Sequence, residues 1–176
     1  IQIEENSYAT SWISGGTGTL KTLTFNQGIM IEEGTTNLVS NPSLETDLTD
    51  WLGAYRCSII RDNAYAKYGS WSCKATTASP GSLFYVAMPL VDVSANTAFS
   101  ASVDVRPYQA HSMAGNLEVI FWGPNWTYLG QTSSINSAMG GGEWERLSVS
   151  FVTPAGCTII EPRIRGTVNT GDGCIM

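Results

Sequence analysis

Side chains that could bind a sugar are concentrated in two alternating segments of the chain and in the turn after the second one. Aromatic rings stack on the C–H groups of sugars, while carboxylates and guanidinium groups hydrogen-bond to the hydroxyls. In residues 97–106 and 116–123 every second residue is largely apolar, so the residues between them point away from the core. We expect these outward residues to form one sugar-binding face with neighbours from the turn and from residues 158–168. Its candidate sugar ligands are Asp104, Arg106, Glu118, Trp122, Trp126, Tyr128 and Arg163, with Arg165 beside them.

Trp122 admits two interpretations. A tryptophan on the polar side of a strand is the kind of exception that marks a binding surface. It could equally be covered by a loop, with Asp104 and the arginines forming ordinary surface ion pairs. The sequence leaves both interpretations open.

No residue pattern supports catalysis. The single histidine, His111, has no evident nucleophile or metal-ligating partner. The 15 acidic residues are scattered without a signature of glycoside hydrolysis. The glycine-rich stretches 15–18 and 140–142 lack the strand–loop–helix context of a phosphate-binding loop. We therefore expect a non-catalytic domain.

The four cysteines do not have the spacing of a metal site, because no Cys-x-x-Cys pair occurs. Cys57 and Cys73 lie on two candidate strands around a turn near Ala66, so they could face each other. A disulfide and a pair of buried free thiols are both compatible with this arrangement. The pairing of Cys157 with Cys174 is equally open.

The composition argues against several classes of partner. The 176 residues carry a net charge of −6 with a pI near 4.6, and the nine lysines and arginines form no cluster, which disfavours nucleic acid. No apolar run approaches the roughly 20 residues of a membrane span. No signal peptide opens the chain, and its start at Ile1, without Met, suggests an excised or processed piece.

Alternating apolar and polar residues predict an all-β protein. From Asn37 onward, strand signals recur at intervals typical of a β-sandwich, and no helical period competes with them. The fold class predicted is therefore an antiparallel β-sandwich. Its predicted strands are 56–61, 71–77, 82–88, 97–106, 116–123, 145–152 and 158–168, and its predicted core residues are Phe99, Val103, Leu117, Val119, Phe121, Leu147, Val149 and Phe151.

Residues 1–36 differ from the rest of the chain, because they contain short strand-like runs separated by turns rich in Gly and Thr. We interpret them as a linker or as the tail of a preceding module, with the main domain at residues 37–176. Alternatively, residues 1–5 supply an edge strand to this domain or to a neighbouring copy, which would make a homo-oligomer through the N-terminal segment.

Several motifs resemble a known family. Asn37–Glu45, which reads Asn-Leu-Val-Ser-Asn-Pro-Ser-Leu-Glu, precedes Trp51 much as the opening of family 4/9 carbohydrate-binding modules precedes a Gly-Trp pair. Tyr68–Lys74 and Gly142–Ser148 are similar to two later strands of that family, and all the motifs occur in the family's order. The departures are Leu44 for the usual Phe and Asp50 for the usual Gly.

The resemblance implies a jelly-roll β-sandwich that binds a poly- or oligosaccharide, as part of a larger virion-surface or secreted protein. It implies packing roles for three tryptophans, Trp51, Trp71 and Trp144. In such modules the Glu after the Asn-Pro motif ligates a structural calcium ion near the chain ends. The candidate calcium ligands are therefore Glu45, Asp47 and Asp172.

Two other functions fit the same sequence. The domain could be a structural spacer or oligomerisation domain of a phage tail fibre or virion decoration, or an ancillary module of a hydrolase. Solvent exposure of Trp122 and Trp126 around a groove would favour sugar binding. Their burial in a subunit interface would favour the structural role.

Overall fold

The computed structural model describes residues 37–51, 53–77, 79, 81, 83–108, 112–168 and 174–175. They belong to the second of two units of the chain, Ile1–Thr36 and Asn37–Met176. The predictions for residues 1–36, for an edge strand at residues 1–5, for His111 and for Asp172 lie outside the described residues. Within the described part of the chain, no helix is long and apolar enough to cross a membrane.

Two antiparallel β-sheets form the described unit. One sheet has the strand order β1-β4-β11-β7-β8, with β5 beside β11 and β9 beside β7, and the other has the order β10-β6-β12-β3-β2. The all-β, antiparallel class predicted from the alternation is thereby confirmed. The strands are β1 Gly53–Tyr55, β2 Cys57–Asp62, β3 Ser72–Thr77, β4 Leu83–Ala87, β5 Val91–Asp92, β6 Ala98–Pro107, β7 Met113–Gly123, β8 Thr127–Ser133, β9 Ser137–Met139, β10 Glu145–Val152, β11 Ile159–Val168 and β12 Cys174–Ile175.

The core lies between the two sheets, because the strands of each sheet direct their apolar residues toward the other sheet. Leu117 and Ile164 from the seven-stranded sheet are buried in one cluster with Val105 and Leu147 from the five-stranded sheet. The predicted core residues follow this pattern. Leu117, Val119, Phe121 and Leu147 are buried, whereas Phe99, Val103, Val149 and Phe151 are partly buried.

The strand boundaries differ from the prediction mainly where the alternation is weak. β7 begins at Met113, three residues before the predicted start, because Gly115 and Ala114 give no apolar–polar contrast. Five strands were not predicted, since β1, β5, β9 and β12 have only two or three residues and β8 is mostly polar.

Cys57 and Cys73 are free thiols, as is Cys157. The register places Cys57 opposite Thr77 and Cys73 opposite Arg61, so the expectation that the two cysteines could face each other is wrong. Burial raises the pKa of the Cys57 thiol to about 11 and that of Cys73 to about 12. Both side chains act as small apolar groups of the core.

Candidate functional site

The outward side of the seven-stranded sheet concentrates polar and aromatic side chains. Strand pairing sets Arg163 opposite Glu118, and Glu161 opposite Ile120, with Trp122 one row further along β7. On β7 these positions alternate with the core residues Leu117, Val119 and Phe121, so they point to the other side of the sheet, although Glu118 and Ile120 are themselves buried. We call this surface the outer face; its outward residues are Tyr55, Tyr85, Asn116, Glu118, Ile120, Trp122, Tyr128, Gln131, Glu161, Arg163 and Arg165, and Trp126 from the turn after β7 joins them through its contact with Trp122.

Glu118 is the centre of an ion-pair network on the outer face, although only 4% of it is exposed. Its two carboxylate oxygens lie 3.5 Å from Arg163 Nε and 3.8 Å from Arg165 Nη1. Gln131 Nε2 donates a third contact to Oε1 at 3.1 Å, and Arg163 also pairs with Glu161 at 3.4 Å. Two carboxylates and two guanidinium groups thus balance each other, which makes the burial of Glu118 tolerable.

Trp122 is held in place by this network. Its Nε1 donates a hydrogen bond of 2.9 Å to Glu161 Oε2. The rings of Trp126 and Tyr128 contact it edge-on, with centroids 6.0 and 5.9 Å away. A shift of register between Phe121 and Trp122 marks an irregularity of the β7–β8 pairing at this point. Trp122 is therefore a partly buried support for its aromatic neighbours.

Trp126 is the aromatic side chain that the turn after β7 exposes. It is 59% exposed, and Tyr128 is 55% exposed. The backbone of Trp126 has a φ of 60°, and the preceding Asn125 has a φ of 55°. Positive φ is unusual for a bulky residue and costs free energy, and such strain is concentrated at functional sites. The turn thus holds the Trp126 ring exposed to solvent, although its backbone conformation costs free energy.

A second aromatic pair lies across the sheet from this turn. The rings of Tyr55 and Tyr85 stack with centroids 5.2 Å apart, and Arg163 Cζ lies 4.6 Å from the centre of the Tyr85 ring. Tyr55 is 40% exposed. This pair was not predicted, although Tyr85 could have been recognised, because it alternates with the buried Phe84 and Val86.

A groove of about 260 Å³ lies beside β7, on the side of Glu118 away from Trp122. Asn116 and Arg165 of the outer face line it together with Asn136. The Asn116 Oδ1 atom is buried and has no hydrogen-bond partner among the described residues. A buried acceptor without a protein partner is available to a hydroxyl donor that reaches it.

Asp104 and Arg106 are not part of the outer face. Both lie on β6 of the five-stranded sheet, where Asp104 pairs with Arg146 at 3.7 Å and Arg106 covers the Tyr65 ring at 3.8 Å. The expectation that one surface holds all the candidates is wrong, because alternation gives the side of a strand but not the sheet that it joins. The structure brings together the other five candidates: Glu118, Trp122, Trp126, Tyr128 and Arg163.

The two described candidate ligands of calcium have other partners. Glu45 Oε1 accepts the backbone N–H groups of Ser70 and Trp71 at 2.9 and 3.1 Å. Asp47 Oδ1 accepts the N–H of Thr49 at 2.8 Å. Within the described ranges, no three His, Cys, Asp or Glu side chains lie close enough together to hold a metal ion. Asp172 lies outside the described residues, so the calcium site stays a prediction.

The tryptophans assigned to packing are partly buried. Trp51 packs against the core cluster between the sheets. Trp71 lies under Arg61, whose Cζ is 4.0 Å from the ring centre. Arg61 also donates from Nε to the Leu44 carbonyl at 2.7 Å and from Nη2 to the Glu45 carbonyl. Arg61 therefore links the segment Asn37–Glu45 to the five-stranded sheet.

Comparison with solved structures identifies the fold. No protein-family model matches the chain, and no match is found among curated proteins. The enzymatically active domain of tailspike protein 4 from bacteriophage CBA120 is similar over 79% of this chain, with a TM-score of 0.61 and 14% identity. The chain spans only 20% of that protein.

Two carbohydrate-binding modules are similar over nearly their whole length. A family 61 module in complex with β-1,4-galactotriose has a TM-score of 0.58 and 16% identity, with 80% of this chain and 94% of the module covered. The C-terminal family 22 module of Clostridium thermocellum Xyn10B has a TM-score of 0.56 and 14% identity, with 81% and 95% covered. The described unit has the β-sandwich fold of carbohydrate-binding modules.

Proposed function

We propose that residues 37–176 form a non-catalytic module that binds a poly- or oligosaccharide through the outer face. The observation that carries this proposal is the exposure of Trp126 and Tyr128 next to a network of fixed carboxylates and guanidinium groups. Exposed aromatic rings beside a few convergent polar groups are what sugar recognition requires. The fold supports the proposal, because modules with this fold bind sugars in the solved structures.

The parts of the outer face have different roles in this proposal. Trp126 and Tyr128 stack on sugar rings, while Trp122 holds them in position from beneath. Glu161 and Arg163 are preorganised by their mutual contact and meet the hydroxyl groups. Asn116 Oδ1, which lacks a partner among the described atoms, accepts a further hydroxyl. The six-residue step from Trp122 to Asn116 spans about 20 Å of strand, which suits an oligosaccharide better than a single sugar.

The finer assignment to family 4/9 rests on the sequence motifs. Their order along the chain supports it, and the fold is compatible with it. The similar solved structures include modules of families 22, 61 and 16, at 14, 16 and 17% identity. A phage tailspike and a multimodular xylanase are among the similar structures, and they support a place in a larger virion-surface or secreted protein.

The alternative is a structural spacer or oligomerisation domain. Exposed aromatic residues also occur at subunit interfaces, where Trp and Tyr are enriched. Tyr55, Trp126 and Tyr128 could then bind a second copy of the chain in place of a sugar. This alternative requires that the aromatic side chains control the oligomeric state.

Affinity electrophoresis tests the proposal. The chain is run through gels that contain neutral polysaccharides: xylan, β-glucan, galactan or mannan. We expect retardation by at least one of them, lost in Trp126→Ala and kept in Tyr68→Ala. Tyr68 is the matched control, because it is an exposed tyrosine on the loop before β3.

The spacer alternative predicts the opposite pattern. The wild type would bind no glycan, in gels or on a glycan array. Light scattering would then give a mass above the monomer that falls in Trp126→Ala but not in Tyr68→Ala. That pair of results would overturn the sugar-binding proposal.

A further inference from the structure

The groove beside Asn116 lies where two rows of outward side chains differ in length. Strand pairing places Arg165 next to Asn116 in one row. In the row beside it, Thr167 lies opposite Leu83 on β4 and opposite Ala114 on β7. Thr and Ala are short, so the step from the long side chains down to them accounts for the groove of about 260 Å³.

The lining of this groove differs from the rest of the outer face. None of the described residues that line it is aromatic or acidic. The lining includes the amides of Asn116 and Asn136, the guanidinium group of Arg165 and the apolar side chains of Leu83 and Ala114. A sugar ring therefore has no aromatic face to stack on here, and recognition depends on a substituent of the ring. The groove is smaller than the sites of about 300–1,000 Å³ that hold drug-sized ligands, which suits a single sugar unit.

Asn136 is positioned by the loop between β8 and β9. Ser134 donates its N–H to the Leu117 carbonyl at 2.8 Å, and its Oγ accepts the Leu117 N–H at 3.0 Å. These two hydrogen bonds anchor the loop to β7 two residues before Asn136. The backbone of Asn136 is thereby held close to the strand that carries Asn116.

Asn116 and Arg165 have hydrogen-bonding groups to offer a ligand. The Asn116 Oδ1 atom is buried and has no partner among the described residues. The χ2 angle of asparagine varies broadly, so the amide can turn Oδ1 toward the groove without breaking a hydrogen bond of that atom. Arg165, whose side chain is 44% exposed, contacts Glu118 through Nη1 and has further N–H groups for a carbonyl oxygen.

We propose that this groove is the subsite for an acetamido sugar, an inference that rests on the sugar binding proposed for the outer face. An acetamido group has an N–H where a plain sugar has a hydroxyl, and adds a carbonyl oxygen and a methyl group. The N–H donates to Asn116 Oδ1, and the carbonyl accepts from Asn136 or Arg165. The methyl group packs on Leu83 and Ala114, where a hydroxyl group would lose its hydrogen bonds to water. A plain sugar makes only the first of these contacts.

Matched pairs of glycans test the proposal. Tetra-N-acetylchitotetraose and cellotetraose have the same backbone and length, and they differ in acetamido groups that replace hydroxyls. Glycans of N-acetylgalactosamine and galactose in equal linkage form further pairs. A glycan array compares the pairs, and isothermal titration measures the affinities. We expect the acetamido member of at least one pair to bind at least about tenfold more tightly, because it gains a hydrogen bond and buries a methyl group.

Two substitutions locate this preference in the groove. Ala114→Val fills the groove, and Asn116→Leu removes the acceptor, so each should reduce the preference to less than about twofold. Ala138 is the matched control for Ala114, because it lies opposite Ala114 on β9, is exposed and is not part of the groove lining. The Ala138→Val variant should keep the preference of the wild type.

Trp126→Ala separates this inference from the proposed function. It should weaken the binding of both members of a pair and leave the ratio of their affinities unchanged, because Trp126 lies outside the groove. Equal affinities within every pair, or a preference that persists in Ala114→Val, would overturn the inference while sugar binding by the outer face stands. Binding of no glycan at all would overturn the proposed function and the inference with it.

Discussion

At the scale of single residues, two tryptophans of the outer face differ in their environment. Trp126 is largely exposed, while Trp122 is partly buried and donates to Glu161. We expect Trp122→Ala to destabilise the domain by about 1–3 kcal/mol, because it removes packing and a hydrogen bond to a charged group. Trp126→Ala should change stability by less than about 0.5 kcal/mol. Urea denaturation of the two variants measures the difference.

Trp122→Phe refines that test. Phenylalanine keeps much of the ring contact with Trp126 and Tyr128 but removes the donor to Glu161. A loss of stability intermediate between wild type and Trp122→Ala would assign part of the effect to the hydrogen bond. If Trp126→Ala were as unstable as Trp122→Ala, the division into an exposed ring and a supporting ring would be wrong.

The buried thiols give the fold a dependence on alkaline pH. Their pKa values are raised by burial from 9.0 to about 11 for Cys57 and to about 12 for Cys73. Above pH 9 the unfolded chain ionises these thiols while the folded chain keeps them protonated. The folded state then binds more protons, so stability falls as the pH rises from about 9 toward 12.

Thermal unfolding across this range checks the effect. We expect the Tm of the wild type to fall with rising pH more steeply than that of Cys73→Ala, although the variant starts from a lower Tm because a buried sulfur is lost. Parallel curves for the two proteins would mean that Cys73 does not contribute to the alkaline loss of stability.

At the scale of elements, Glu45, at the end of the segment Asn37–Glu45, accepts hydrogen bonds from the turn before β3. Gly69 has a φ of +70°, and a Cβ atom built on it would collide with the Glu45 carboxylate. Gly81 has nearly the same φ, +71°, but no atom of the described residues lies within 4 Å of its Cβ position. The two glycines differ in their surroundings and hardly at all in backbone conformation.

Gly69→Ala and Gly81→Ala therefore form a matched pair. Each substitution places a side chain in the left-handed region, which costs about 1–2 kcal/mol. Gly69→Ala should cost about 1–2 kcal/mol more, because Glu45 must give up its hydrogen bonds to the Ser70 and Trp71 amides. Equal losses in urea denaturation would show that the Glu45 contact does not stabilise the fold.

The long strands were predictable from the sequence for a local reason. In β10 the alternation of Leu147, Val149 and Phe151 with polar residues marks both the strand and its buried side. The prediction of 145–152 agrees with the observed strand to the residue. β5 and β12 have only two residues each, too few for any alternation, and they form because longer neighbours offer them free edges.

The composition of the outer face was only partly predictable. Alternation placed Glu118 and Trp122 outside the core correctly, since it depends only on neighbouring residues of one strand. The assignment of Asp104 to the same surface failed, because the sheet that a strand joins depends on pairing between residues far apart in the sequence. Tyr55 reaches the outer face only through the pairing of β1 with β4.

The inward faces of β7 and β10 join the two sheets through an aromatic contact. The Phe121 and Phe151 rings lie 5.5 Å apart, and Phe151 also stacks on Phe99 at 6.0 Å. We expect Phe121→Ala to cost about 3–5 kcal/mol, because the cavity opens between two sheets that cannot collapse onto it. Val152→Ala, at an exposed position of β10, is the control and should be nearly neutral. A small effect of Phe121→Ala on the urea midpoint would contradict the packing described here.

At the scale of the whole molecule, charge is distributed unevenly. Residues 37–176 include 11 acidic and 8 basic residues, a net charge of −3, yet the charged residues of the outer face, Glu118, Glu161, Arg163 and Arg165, add up to zero. An anionic polysaccharide would meet repulsion from the molecule without a compensating basic patch on this face. A neutral polysaccharide would meet neither attraction nor repulsion at long range. The charge distribution therefore favours a neutral ligand.

The salt dependence of binding tests this last conclusion. Salt screens interactions between exposed charges beyond about 10 Å at 0.1 M, but it has little effect on stacking and short hydrogen bonds. For the polysaccharide that retards the chain in the gel assay, we expect the affinity to change less than about twofold between 50 and 500 mM NaCl. Isothermal titration at the two salt concentrations measures the affinity, with Arg165→Gln as a comparison.

The Arg165→Gln variant leaves Glu118 paired with Arg163 but gives the outer face a net charge of −1. Its affinity for the neutral ligand should stay within a factor of about three, since Arg165 is the more exposed and the more distant of the two arginines that pair with Glu118. Binding of an anionic polysaccharide on the glycan array, weakened both by salt and by Arg165→Gln, would instead contradict the preference for a neutral ligand.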